Sequence, residues 1–448
     1  MQDSKRHEPA IAFAAWMVAA LVAASVIELF SCAALSLTRH QWFSYARLQA
    51  ARAAVAAGRT QQPNMEGARA GEAPDWIATE VIHPYLGFVL DRAIPHPCNP
   101  DLDGYHDAME YGFPCSEAPL IEKRSSDTVI VGLYGGSVAA GFATYGAHRL
   151  TEELHRFPPF ANKRIRIASF SVPGYKQPQQ LMALSYFLML GAQFDLVVNL
   201  DGFNEVALPA TENAPKGVFP FFPRSWYFRT ASFDTTTRRA MGEVSFLEDR
   251  RVERARAFSR APWRYSASAS LVWSLLDRLD ETRIARLQNA LLKAPSPQHA
   301  YVTTGPTRTY ATADAIYPDS ADVWRRGSSL MNQLATANGA VYFDFLQPNQ
   351  YVAGSKPFTD AERRVALTDP FGFMHSVEVG YPLLQRAGME LARGGVHFHD
   401  MTGVFAKEGQ SLYIDACCHF NPRGYDILAH AMGRAIVDDL RTKAANSP

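Results

Sequence analysis

No charge of one sign is left over in this chain. Its 44 basic residues cancel its 44 acidic ones. No basic stripe is interleaved with aromatics either, so the footprint of a nucleic-acid partner is missing. Cysteine is scarce, at five in 448 residues, too few for a disulfide-stapled scaffold. Neither a Gly-x-x-x-x-Gly-Lys-Ser/Thr loop nor a Gly-x-Gly-x-x-Gly turn occurs, which argues against a phosphate-cradling loop. There is no Cys-x-x-Cys pair and no internal repeat. Cys417, Cys418 and His419 could contact a metal, and His397 and His399 alternate like ligands. No second cluster supports them, so no metal and no cofactor are expected. What remains is a globular composition, 47% hydrophobic and 20% charged, long enough for one large domain or two ordinary ones.

Charge is also missing from Pro9 to Ile27, and apolar character resumes after Glu28 as far as Leu37. A membrane span needs about 20 apolar residues. A secretory signal has a shorter apolar region and a small-residue cleavage site. The run is long and lacks a clear site, so an uncleaved anchor over 10–37 is favoured, with a short cytoplasmic tail at 1–9. Lys5 and Arg6 precede it, but Arg39, Arg47 and Arg52 follow, so basic residues alone do not orient it. A large domain translocates largely regardless of charge, which favours a cytoplasmic N-terminus with the main domain on the far side of the membrane. Glu28 should sit near an interface or face a partner, because a carboxylate deep in lipid is costly. In an extracytoplasmic domain Cys98 and Cys115 could pair; the alternative is two buried thiols.

Residues 38–75 read as a juxtamembrane helix and a linker, the linker being 63–75. A pre-core segment over 76–127 is too small to fold alone and should pack on the main domain. Then Thr128–Tyr134 is a continuous β-branched run, as expected of a strand buried on both faces. Helix 139–157, strand 164–170, helix 177–190 and strand 194–200 come next in alternation. Strands at 340–346 and 411–414 and a closing helix at 424–442 complete the pattern. Such alternation predicts an α/β fold with a parallel sheet between helices. The stretch 205–338 reads as a large insertion. Its helix 267–293 carries Leu271, Leu275, Leu279 and Ile284 near one face, a stripe expected to pack on the core rather than on a membrane surface.

Three strand ends carry chemistry. Ser137 follows the first strand in a Gly-Gly-Ser turn, where glycines allow a sharp bend and close approach of a carbonyl. Ligands of open parallel sheets bind beyond the carboxyl ends of strands. Gly174 follows the second strand and Asn204 the third, each able to donate to developing negative charge through an N–H or an amide. His419 lies before the closing helix and can accept a proton at neutral pH. Asp415 is the nearest acid that could hold its tautomer.

These blocks resemble the SGNH, or GDSL-type, hydrolase superfamily. The match runs through Gly135–Ser137 to Gly141, Gly174, Gly202 with Asn204, and Asp415 with His419. Gly136 and Glu205 stand where the family often has Asp, and the last pair is spaced Asp-x-x-x-His instead of Asp-x-x-His. His83–Phe88 and Leu346–Tyr351 resemble segments of membrane-anchored bacterial members. The resemblance implies a three-layer α/β/α, flavodoxin-like hydrolase domain over 128–442. It implies a Ser137 nucleophile, a His419 base oriented by Asp415, and an oxyanion hole of the Ser137 and Gly174 N–H groups with the Asn204 amide. The expected substrate is an O-acyl ester of a small molecule or glycan, on a cell-envelope carbohydrate or lipid. Transfer of the acyl group to a glycan, and a catalytically silent binding or assembly role, stand as alternatives. Oligomeric state is not legible.

Overall fold

The computed structural model describes residues 8–39, 42–57, 79–93, 109–116, 118–230, 235–293 and 301–445. The expected linker at 63–75, the cytoplasmic tail up to residue 7, and Cys98 lie outside them. The chain clusters into two units, 1–73 with 232–294, and 74–231 with 295–448. The stretch expected as one insertion, 205–338, is therefore divided between them.

In the larger unit, Glu80–His83 (β1) and Gly87–Leu90 (β2) form an antiparallel hairpin. Five parallel strands come after it: Thr128–Gly135 (β3), Arg164–Ser171 (β4), Leu196–Asp201 (β5), Val341–Leu346 (β6) and His397–Asp400 (β7). Their order across the sheet is β4-β3-β5-β6-β7. Every residue of β3 and β5 is buried, which explains why neither alternates polar with apolar; the two polar side chains of β5, Asn199 and Asp201, are buried as hydrogen-bonded groups. β3 pairs with β4 on one side and β5 on the other. The chain thus reverses its winding direction between β3 and β5. In open α/β sheets that switch point opens a crevice at the carboxyl ends of the two strands.

Seven helices of this unit position the site. Ser137–Tyr145 (α1) and Ala147–Leu154 (α2) replace the single helix expected at 139–157, the break falling at Gly146. Gln179–Met189 (α3) and Phe203–Leu208 (α4) follow β4 and β5. Ile316–Ala337 (α5) and Phe373–Arg393 (α6) pack on each other, and Pro422–Ala445 (α7) packs on α2. Under the sheet, Tyr134 stacks on Phe170 at 4.7 Å, and Phe187 and Phe194 close around Phe170. Aromatics bury the largest apolar area per residue, so this cluster carries much of the packing energy.

Two sequence expectations change here. Residues 411–414 form no strand of the sheet, and Tyr413 makes only an isolated bridge to Phe420. The fifth strand is instead His397–Asp400. It is half-exposed at the sheet edge, so it lacks the apolar run that marks a buried strand. His397 and His399 stack on Phe343 and Phe345 and both bond Asp439, a structural role rather than a ligand-like one.

In the smaller unit, the helix Glu8–Arg39 is long and apolar enough to cross a membrane. Helices Tyr45–Ala56, Thr235–Phe258 and Ala267–Lys293 accompany it. Leu35, Leu48 and Trp273 form their shared apolar centre. The expected stripe of the last helix is only partly buried. Ile284 is covered, whereas Leu275 and Leu279 are exposed.

Candidate active site

The turn after β3 is built from two glycines with different reasons to be there. Gly135 has φ +148°, and a Cβ on it would lie 2.2 Å from the Leu200 carbonyl oxygen of β5. A Cβ on Gly136 would lie 2.2 Å from Nδ2 of Asn204. An Asp at 136 would therefore push the Asn204 amide away, so glycine here is tied to the close seat of that amide. Ser137 then opens α1 and is half-exposed among buried neighbours. First-turn N–H groups of a helix have no partner within the helix. The Ser137 amide is thus of the kind that can receive an oxyanion.

Ser137 Oγ lies 2.7 Å from His419 Nε2, and His419 Nδ1 lies 2.5 Å from Asp415 Oδ2. The three residues predicted as nucleophile, base and orienting acid are therefore joined in one chain of hydrogen bonds. The longer Asp-x-x-x-His spacing is absorbed by the loop between them. Asp415 Oδ1 accepts the backbone N–H groups of Cys417, Cys418 and His419 at 2.9, 3.1 and 3.3 Å. That wrap leaves Oδ2 facing the imidazole. Burial opposes ionisation of Asp415, but the charge and hydrogen bond of His419 and the backbone donors outweigh it, holding its carboxyl below the usual range. Burial likewise disfavours the imidazolium of His419. The Asp415 carboxylate wins, and the His419 pKa is pushed up to about 9. An imidazole so placed can take the Ser137 proton once it is neutral itself.

Asn204 stands at the start of α4. Its Nδ2 donates to the Tyr175 carbonyl at 2.8 Å, next to Gly174. The amide has a second N–H, and its seat against Gly136 sets it beside the Ser137 turn. Glu205, the departure from the family pattern, holds this corner together. Its Oε2 accepts the Gly202 N–H at 2.8 Å, and its Oε1 accepts from Gln177 N–H at 3.2 Å and Gln180 Nε2 at 3.0 Å. Burial raises its pKa. Nearby, Asp201 bonds Trp324 Nε1 and Asn199, and Asn199 also bonds Asp344. Burial lifts Asp201 far above the usual carboxylate range and Asp344 to about 7.

Sequence reasoning missed two groups of residues. Arg224 lies across Gly174, its Cδ 1.9 Å from where a Cβ would be. Its positive charge also acts against protonation of His419. Glu80 of β1, buried, pairs with Arg224 at 2.5 Å and with Arg229. The pre-core hairpin thus anchors a cation beside the candidate oxyanion donors. The second group comes after β6. Tyr351 OH donates to the Ala416 carbonyl at 2.7 Å, Asn349 Nδ2 to Cys417 O at 3.2 Å, and Gln350 Nε2 to Asp415 O at 3.2 Å. These side chains clamp the loop that carries Asp415 and His419. The segment 346–351 stood out in the sequence, but only contacts 65 to 68 residues away give it a purpose.

Cys417, Cys418 and His419 are the one ligand-like group among the described residues, with their ligand atoms within 4.8 Å. Both nitrogens of His419 already face Asp415 and Ser137, so a metal would have to break the chain of bonds that joins the three residues. Cys115 is in a disulfide, while Cys32, Cys417 and Cys418 are free thiols.

No protein-family model matches the chain, and no curated protein matches its sequence. Among solved structures, a candidate acylhydrolase from Bacteroides fragilis NCTC 9343 aligns over 72% of this chain and 92% of its own, at 11% identity and a TM-score of 0.33. A likeness that low carries no weight in assigning a function.

Proposed function

We propose that this chain is a serine ester hydrolase of the SGNH type, with the three-layer α/β/α arrangement of that superfamily. It cleaves an O-acyl ester of a cell-envelope carbohydrate or lipid through an acyl-enzyme. One observation carries the reading: the unbroken hydrogen-bond chain Asp415–His419–Ser137 at the mouth of the β3/β5 crevice.

In this reading Ser137 Oγ attacks the ester carbonyl carbon as His419 Nε2 takes its proton. Asp415 keeps Nδ1 protonated and stabilises the imidazolium. The carbonyl oxygen, now negative, meets the Ser137 N–H, the Gly174 N–H and the Asn204 amide. The tetrahedral carbon then expels the alcohol, which receives its proton from His419. Water enters by the same route in reverse and frees the acid. The apolar N-terminal helix supports a single-pass anchor, which this reading places in the inner membrane with the domain outside. The Cys115 disulfide suits an oxidising compartment.

A panel of p-nitrophenyl esters of increasing acyl length tests the proposal with the purified full chain. Wild type should turn over at least the short esters, and Ser137→Ala should not. Equal rates for the two would remove Ser137 as nucleophile.

A further inference from the structure

Glu28, the acid that ends the charge-free run, is not left facing lipid. Its carboxylate caps the helix Ala267–Lys293. Oε1 accepts the hydroxyls of Ser266 and Ser268 at 2.6 and 2.5 Å, and Oε2 accepts the Ala267 N–H at 2.5 Å. A carboxylate at a helix N-terminus is stabilised by the unpaired N–H groups and the helix dipole. The contact also fixes a height. Leu35 packs on Trp273, and Thr38 lines a cavity with Leu271, Leu275 and Arg278. The second helix therefore runs alongside residues 28–38 in the same direction. Its own partner, Thr235–Phe258, lies antiparallel. Arg251 pairs with Asp277 at 2.7 Å, Arg254 with Asp280 at 2.9 Å, and Arg283 with Glu243. The turn of this hairpin, residues 259–266, is thus held at the level of Glu28.

The helix stays apolar as far as Thr38, beyond Glu28; the span is set at its charge-free part, Pro9 to Ile27, which rises about 28 Å at 1.5 Å per residue, close to the hydrocarbon thickness of about 30 Å. Its side chains Phe13, Trp16, Met17, Val18, Leu21 and Val22 are exposed, as lipid-facing residues are. Glu28 then falls at a headgroup layer, and the hairpin turn falls there with it. The turn has the composition of that layer. Trp263 and Tyr265 are more than half exposed, and Trp and Tyr favour the membrane interface. The turn also carries Arg260 and Arg264 and no acid, in a chain of zero net charge.

We infer that the hairpin turn 259–266 is a second membrane contact, seating Trp263 and Tyr265 in the headgroup layer with its arginines on anionic lipid. The inference rests on the reading of the N-terminal helix as a membrane span. A basic residue near an anionic surface contributes about 1 kcal/mol, which is about fivefold in affinity each. The single anchor helix would by this means be held against tilt and rotation, and the hairpin could not swing away.

Site-specific photocrosslinking in nanodiscs tests this on the full chain. Benzoylphenylalanine is placed at Leu21, Trp263 or Leu279 in turn, and lipid adducts are counted by mass spectrometry. Adducts should form at 21 and 263 but not at 279, with severalfold more at 263 when phosphatidylglycerol is added to phosphatidylcholine. Glu28→Ala should lower the yield at 263 severalfold and spare that at 21. Adducts at 21 without any at 263 overturn the hairpin contact and leave the anchor standing. No adduct at 21 overturns both. Yields at 263 that ignore phosphatidylglycerol overturn the role given to the arginines.

Discussion

Replacing Asp415 with Asn exchanges one carboxylate oxygen for an NH₂ group and removes the charge, and the surroundings decide the consequence. Three backbone N–H groups converge on Oδ1 of Asp415. An amide must turn its oxygen to them, because its NH₂ would face donors and leave three buried N–H groups unmet. The NH₂ then points at His419 Nδ1 and makes that nitrogen an acceptor. The proton of a neutral ring moves to Nε2, where it faces Ser137 and cannot take the serine proton. A triad held in the wrong tautomer loses about 10⁴ in turnover, roughly 5 kcal/mol of barrier. A second effect can be read separately. The carboxylate is what lifts His419 from 6.5 to about 9, a bias of about 3 kcal/mol toward the imidazolium. Since only the neutral ring acts as base, wild-type kcat/KM should rise with pH and level off near pH 9. In Asp415→Asn the residual activity should level off below about 6.5, since the raising charge is gone. Folding shows the same sign. A raised His pKa stabilises the fold fully below about pH 6.5, and the gain is lost as pH rises through about 9. Initial rates on p-nitrophenyl acetate from pH 6 to 10, with thermal melts at the two ends, read all three. An Asn variant within tenfold of wild type, with its pH limb unmoved, would refute the reasoning.

Other outcomes depend on the same geometry. Asn204→Ala should lower kcat by about 10²–10³ with little change in KM. Gly136→Ala should do much the same, because its methyl group would displace the Asn204 amide. The double variant should fall no further than the worse single one. Tyr351→Phe leaves the Ala416 carbonyl without its donor, at a cost of about 1–3 kcal/mol. It should lower Tm and kcat while the pH limb of His419 stays put. Asp344 keeps its proton in the fold up to about pH 7 and loses it near 4 when unfolded, so its burial costs stability progressively between those values. Asp344→Asn should therefore flatten the fall in urea stability between pH 5 and pH 8, leaving the variant the more stable at pH 8.

Much of this was legible because the fold repeats one rule. A strand buried on both faces has no polar alternation, so Thr128–Tyr134 and Phe194–Leu200 announce themselves, and the groups just past their ends fall at the crevice. Ser137, Gly174 and Asn204 were singled out by that logic, whereas His419 stood out by its place before the closing helix and Asp415 as the acid nearest to it. The edge of the sheet obeys no such rule. His397–Asp400 is four residues with two histidines, and only its parallel pairing with Phe343–Leu346 makes it a strand. Arg224 escaped, and Tyr351 stood out only within 346–351 without a role, for a different reason: each acts through a partner far away in the chain. The pairing of Glu28 with Ser266–Ser268 spans some 240 residues. An acid after an apolar run signals a partner without naming it.

The central claim is that the hydroxyl at position 137 is the one that becomes acylated. Reacting the full chain with a fluorophosphonate and mapping the adduct by peptide mass tests it most directly. The label should sit on Ser137, vanish in Ser137→Ala, and form far more slowly in His419→Ala. A folded protein that stays unlabelled, or carries the label on another residue, would contradict the account.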